Sequence, residues 1–273
     1  MTMSLGRVLR NGTVVVLAAL WLIPTWLLVV NAMVPAGSYS GSPHWLPGHF
    51  GLFGNMSQAW DKANLGPAFG NSALYATVSA VAAAVVASGA AFATVIMPVK
   101  RRVLWFWVIY SGTLLPLQVF IRPLFVEYAR SSLYDTQIGL ILIYTAIAIP
   151  FAFFVMRNYA LTLPREVVEA ARMDGASWWR VFWQIHVPLT KSAMVAVFVF
   201  QFVAVWNDLM FGITLTTSRN IRPVMAALAD LQGNYSNVGP PIVLAGALLV
   251  SLPTLVLFIS AQRYFVSSLK IHS

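Results

Sequence analysis

The stretch EVVEAARMDGASWWRVFWQIHVP, residues 166–188, decides how the rest of the chain is read. Only 9% of the sequence is charged, yet five charged residues fall within these 23 positions. Pro164 just ahead of it suits the first turn of a helix, and Glu166 and Glu169 follow where negative charge complements a helix N-terminus. Ala170, Ala171 and Met173 give that helix a compact apolar face. Gly175 then ends it, as a residue that tolerates positive φ does. Ser177 caps a second helix, predicted over 178–187 and stopping before Pro188. The product is a helix–Gly–helix elbow over residues 164–188, carrying Trp178, Trp179, Phe182 and Trp183 on its second arm.

Composition sets the elbow in its surroundings. The chain has 273 residues, 59% of them hydrophobic, and a mean hydropathy of +0.76. A soluble domain would carry roughly a quarter charged residues, so this is an integral membrane protein. A bilayer core about 30 Å thick needs roughly 20 apolar residues per helix. Residues 13–33, 71–99, 103–121, 138–156 and 242–262 contain no Asp, Glu, Lys or Arg, and 192–215 contains only Asp208. These runs are continuous and about twice the length of the alternating strands of a membrane barrel. The expectation is an all-α polytopic protein of six transmembrane helices in one permease-like domain, with no room for a soluble catalytic domain. The first run is longer than a signal-peptide core and lacks a good cleavage site, so it is read as a retained span.

The net charge of +9 is a topology signal and not a sign of nucleic-acid binding. With six spans the connections alternate sides. Twelve Lys and Arg fall on the side of the N-terminus, the 100–102 turn, the elbow and the C-terminus, against five on the other. The excess places both termini and the elbow in the cytoplasm. The absence of cysteine excludes disulfides and thiol chemistry. His44, His49, His186 and His272 lack the spacing of a metal site, so no metal is expected.

Residues 34–70, rich in Gly, Pro and Ser, read as an external loop with one short helix over 56–63. Residues 122–137 read as a short external connection, and 216–241 as a second sizeable external loop with a turn at Gly233-Asn234. The second span is dominated by small residues, which let helix backbones approach closely where lipid offers no hydrophobic drive. Asp208 is the lone acid within a span, with Asn207 beside it. Intramembrane ionisable groups face a bundle interior or a watery cavity. Two roles are open to the pair: the wall of a solute path, or a polar cluster that stabilises a break in the fifth span. Gln118, between Pro116 and Pro123, is a similar candidate.

An amphipathic elbow on the cytoplasmic face either rests on lipid headgroups or fits a groove on another protein. The Trp-rich arm suits lipid; the acidic, small-faced Glu-Ala-Ala arm suits a groove. EAARMDG, nine further residues and then IHVP resemble the EAA loop of ABC-importer permeases, and LPREVVEAARMDGAS resembles the variant in importers related to the maltose permeases. The resemblance extends through FGNSALYATVSAVAAAVVASGAAFA, LLPLQVFIRPLFVEYARSSLYDTQIGLIL, IPFAFFVMRNYALTLPREV, WNDLMFG and QRYFVSSL, covering nearly all of the chain after residue 50. It departs at the tail, where VSSLKIHS lacks the glycines common in the family.

That resemblance implies the type I importer permease fold and makes the elbow a coupling helix, docked in a cleft of a separate ATPase. Glu166, Glu169, Ala170, Ala171, Asp174 and Gly175 would sit at the joint. The expected partners are a second permease, two ATP-binding subunits, an external solute-binding protein and membrane lipid. No phosphate loop of the Gly-x4-Gly-Lys-Ser/Thr type occurs here, so ATP and Mg belong to the partner ATPase and this chain is not an enzyme. The expected cargo is a carbohydrate-type solute, with polyol or glycerol phosphate as alternatives. A secondary transporter would need ionisable coupling groups in several spans, where only Asp208 is present.

Overall fold

The structure, a computed structural model, describes residues 5–233 and 238–269, and all its regular elements are helices. The chain divides into two compact units. One comprises residues 1–65 and 227–252; the other comprises 66–226 and 253–273.

In the first unit, helix α1 (Leu5–Met33) contains the first apolar run, and only 6% of its most apolar window is buried within this chain. That exposure suits a helix whose solvent is lipid. The 34–51 connection has almost no regular structure, as its Gly and Pro content predicts, but it is pinned. Asn31 donates from Nδ2 to the carbonyl of His44 (2.9 Å) and accepts its N–H at 2.8 Å. Asn55, in α2 (Leu52–Lys62), donates to the carbonyls of Ala32 and Val34 at 2.8 and 2.7 Å. Buried backbone carbonyls need such partners, and two asparagines supply them where no helix does.

The second unit is built on α3 (Leu65–Val95), which begins before the predicted 71. Ala76, Ala80, Ala83, Ala87 and Ala91 are fully buried and recur every three or four residues, so they form one stripe. Against this stripe pack Ala148, Ala152, Phe153 and Met156 of α6 (Gln137–Ala160) and Ala193 and Val197 of α10 (Lys191–Trp206). The small-residue span thus serves close helix packing, as its composition suggests.

The third predicted span is not a straight helix. Helix α4 (Arg102–Tyr110) gives way to 3-10 turns over Ser111–Thr113 and Leu117–Phe120, and α5 (Ile121–Arg130) then leaves at 84°. Pro116 lies extended at the break, where its missing N–H prevents a continuous ladder. Gly112 is required nearby, because a Cβ there would come within 2.7 Å of Pro150 Cγ on α6. Residues 122–137, read as a plain connection, therefore contain most of a helix.

The fifth predicted span also breaks. Helix α10 ends at Trp206, and a short α11 (Met210–Leu215) follows. Among the described residues four helices are long and apolar enough to cross a membrane, and counting two bent pairs, α4 with α5 and Trp178–Leu189 with α10, as single crossings gives up to six. Within 216–241, α12 (Val224–Ala229) forms, and α13 (Pro240–Leu269) carries the last run. Asn234 of the predicted turn and Lys270 of the tail lie outside the described residues.

Candidate functional site

The elbow forms as two arms around a sharp corner. The first, α7, runs over Arg165–Met173 with Glu166 in its first turn. At its end the N–H of Ala176 donates to the carbonyl of Ala171 at 3.0 Å, and that of Gly175 to Arg172 at 3.1 Å. This nested pair of bonds is the Schellman arrangement, which needs a left-handed residue at the corner. Gly175 supplies it with φ +81, and a Cβ added there would meet nothing within 4 Å. The glycine is thus demanded by backbone conformation and not by crowding. Arg172 clamps the corner further: it donates from Nη1 to the Ala176 carbonyl, and its guanidinium lies 4.4 Å from the Trp178 ring centre.

Ser177 caps the second arm as expected, its Oγ accepting from the Arg180 N–H at 3.3 Å. That arm comprises α8 (Trp178–Val181), a π turn over Phe182–His186 and α9 (Val187–Leu189). The helix therefore runs through Pro188, where the sequence placed its stop. A π turn replaces the i→i+4 bonding pattern with i→i+5, so Pro188 enters the first turn of the following segment, where its missing N–H costs little. The chain bends by 73° before α10, at Thr190, whose Oγ1 donates to the His186 carbonyl at 2.8 Å.

The elbow's inner face grips the end of α3. Phe92 sits at the centre of this contact, with ring centres 6.1 Å from Trp178, 5.4 Å from Phe182 and 5.1 Å from His186. Ala176, Val181 and Phe182 are buried around it, with Val168, Ala171 and Ile185 packed alongside. His186 is only 1% exposed, and burial pushes its pKa down to about 4 against a weaker opposing pull from the Ser88 backbone. A neutral imidazole fits among these rings.

Five of the six elbow residues singled out from sequence, Glu166, Glu169, Ala170, Asp174 and Gly175, are exposed, and Glu169 also lines a cavity beside α7; Ala171 is half-buried and packs inward near Phe92. Sequence reasoning missed Phe92 as the receiving surface on α3 and His186 as one of the elbow rings that pack on it. The available signal was a lone Phe at the end of an alanine-rich span.

Asp208 does not line an open path through its carboxylate alone. Its Oδ2 accepts from the Tyr144 hydroxyl of α6 at 2.8 Å and from the N–H groups of Phe211 and Gly212 at 3.0 and 3.1 Å. It therefore caps α11 and ties the break in α10–α11 to α6. Asn207 is exposed and donates to the Val203 carbonyl at 2.9 Å, and Gln118 is exposed on the Pro116 break. A second carboxylate anchor escaped the sequence. Asp135 Oδ1 accepts from the N–H groups of Thr217 and Ser218 at 2.7 and 2.9 Å, and Ser218 Oγ donates to its Oδ2. Burial pushes its pKa up, but these hydrogen bonds and nearby Arg222 outweigh that and hold it below the usual carboxylate range. Asn71 and Ser72 secure the same stretch, through bonds to the Asn220 carbonyl and from the Val224 N–H, each at 2.8 Å.

Alanine-packed and broken helical spans, with an amphipathic elbow seated on one helix end, make this a polytopic helical membrane protein. Residues 97–270 match the family described as binding-protein-dependent transport system inner membrane component. The chain belongs to that family. It is therefore a transport component of the inner membrane that works beside a solute-binding protein and an ATPase. It is 28% identical over 263 residues to the diacetylchitobiose uptake system permease protein of Streptomyces coelicolor, covering 95% of this chain and 86% of that one. It is 31% identical over 260 residues to the osmoprotective compounds uptake permease protein of Synechocystis sp., covering 93% and 87%. It is 33% identical over 259 residues to the sn-glycerol-3-phosphate transport system permease protein of Yersinia pestis, covering 91% and 90%. Its fold matches the crystal structure of a bacterial ABC transporter involved in import of the acidic polysaccharide alginate. That match has a TM-score of 0.77 at 19% identity and covers 97% of this chain and 99% of the other.

Proposed function

We propose that this chain is one of two permease subunits in a bacterial ABC importer, passing a neutral carbohydrate across the membrane by alternating access. The observation that carries the mechanism is the elbow seated on α3: a corner clamped by Arg172 and Gly175, with Phe92 held among three rings. Force on its exposed face, which carries Glu166, Ala170 and Asp174, would reach α3 through this packed contact. Two partner ATPases would bind ATP and Mg and press on that face as they close. Glu169, lining the cavity beside α7, would reach the same partner at its edge. The excess of Lys and Arg supports a cytoplasmic elbow and termini. An external solute-binding protein would deliver the cargo at the opposite side.

The carbohydrate assignment draws on relatives named for diacetylchitobiose and for melibiose, raffinose and stachyose. Relatives named for glycerol 3-phosphate favour a second reading, a phosphorylated cargo. The charge-free spans argue for the neutral one, since an anion in transit needs cationic or N–H partners. In the solute path, Asn207 and Gln118 offer exposed amides for hydroxyls, while Asp208 shapes the break that presents them.

The test is co-expression of the tagged chain with its genomic neighbours, purification in mild detergent, and uptake in reconstituted vesicles. An ATPase and a second permease should co-purify, and labelled oligosaccharide should enter only with ATP. A chain that purifies alone and moves solute without ATP refutes the reading. Uptake of glycerol 3-phosphate in preference to neutral sugars would replace the cargo with the second reading.

A further inference from the structure

Where the first arm of the elbow meets the spans lies an open cavity of about 470 Å³, lined by the end of α3, the start of α4, the end of α6, one side of α7 and Trp178. Its charged lining is lopsided: Arg102, Arg165 and Arg172 against the single carboxylate of Glu169. Arg102 spends part of its donor capacity on the end of α3, with Nη2 donating to the Met97 carbonyl at 2.8 Å. Arg172 spends part of its own on the Ala176 carbonyl. Each guanidinium has five N–H donors, so both keep donors to spare, and Arg165 has no hydrogen-bond or ion-pair partner among the described residues. The remaining walls are apolar, with Val95, Ile96, Leu161, Leu163 and Trp178 among them.

The level of the cavity matters as much as its charge. The charge-free runs end at Val99, begin at Val103 and end at Met156, and the lining residues Ile96, Arg102 and Ala160 lie within about one helical turn of these ends. It therefore sits where the spans leave the hydrocarbon. Leu161, on its wall, is exposed, as are Val103 and Leu104, which follow Arg102 in α4. Guanidinium forks over an apolar floor at headgroup depth match a phosphodiester joined to acyl chains, and basic pockets between spans on the cytoplasmic side are the recognised form of anionic-lipid sites.

We propose that this cavity binds the headgroup of an anionic phospholipid of the cytoplasmic leaflet, wedged between the elbow and the spans it drives. The side of the membrane rests on the functional reading above; the lipid chemistry does not. A lipid there would neutralise the three arginines and fill the space beside α7, so that pressure on the elbow is delivered to α3 and α6 instead of collapsing the cavity.

The test uses the assembled transporter in nanodiscs of phosphatidylcholine alone or with phosphatidylglycerol, read by native mass spectrometry and by ATP-driven uptake. Phosphatidylglycerol should be retained on the wild-type complex, and its retention should fall about fivefold in Arg165→Gln, the effect of removing one near-surface cation. Arg165→Lys should restore most of it, and uptake should be higher with phosphatidylglycerol for wild type and Lys but not for Gln. Equal retention of the two lipids, or undiminished retention in Arg165→Gln, overturns the proposal. Displacement of the lipid by millimolar inorganic phosphate also overturns it, in favour of a soluble anion. Failure of the ATPase to co-purify would instead count against the functional reading, and lipid retention by the isolated chain is scored separately.

Discussion

Substituting Gly175 isolates the backbone of the elbow from everything else about it. With φ at +81 and nothing within 4 Å of the added Cβ, Gly175→Ala introduces no clash. Its cost is the left-handed penalty for an L-residue, about 1–2 kcal/mol. Two hydrogen bonds at the corner, from Gly175 and Ala176, are lost if the chain relaxes instead. The ratio of closed to open corners should then fall about 5- to 30-fold. Asparagine tolerates this conformation better than alanine, so the expected order is Gly, then Asn, then Ala. The assay is ATP-driven uptake by the reconstituted transporter, normalised to assembled complex, together with the thermal midpoint of the purified chain. Both should follow that order. If Asn is as damaging as Ala or worse, side-chain size or polarity governs the site and the backbone argument is wrong. Uptake within twofold of wild type for Ala would show that the corner has stability to spare or does not transmit force.

Two further outcomes follow from the buried polar groups. His186 has a folded pKa of about 4 against 6.5 for the free side chain. Its contribution is complete above about pH 6.5, and since the unfolded state takes the proton first it is lost as pH falls toward 4. The loss is about 3 kcal/mol at most. Thermal midpoints of wild type and His186→Phe between pH 7.5 and 4.5 should diverge, with wild type losing more; parallel curves would refute the neutral buried imidazole. For Asp208 and Tyr144, each of Asp208→Asn and Tyr144→Phe should destabilise the chain by about 1–3 kcal/mol, and the double variant by less than their sum. Additive losses, or a change in solute KM without a change in stability, would return Asp208 to the role of solute ligand.

The elbow was legible in sequence because each of its signals is local. The φ requirement at Gly175, the Ser177 cap and the acids at the start of α7 all act within a few residues. Its far end was not, because Pro188 reads as a stop unless the preceding turn is known to be π-bonded. The spans were legible as charge-free runs, yet the breaks at Pro116 and Asp208 were only half so. Proline marks a break but not its 84° angle, which α6 sets through the close approach of Gly112 and Pro150. Asp208 looked equally like a ligand or a brace because its partner Tyr144 lies 64 residues away. Asp135 and Phe92 were invisible for the same reason: their partners come from connections more than 80 residues away in the chain. The cavity beside α7 is assembled from two distant stretches, residues 95–102 and 160–178, and has no linear signature.

The alanine stripe of α3 has one more consequence. Alanine has no side-chain torsion, so the faces of α3, α6 and α10 that meet along Ala83, Ala87, Ala148, Ala152 and Ala193 have little to rearrange. On the proposed function, a displacement arriving at Phe92 would meet few rotamers to dissipate it before it reached the far end of the helix. The same smoothness sets no deep notches against sliding, so α3 can act as a push-rod with low friction and little slack.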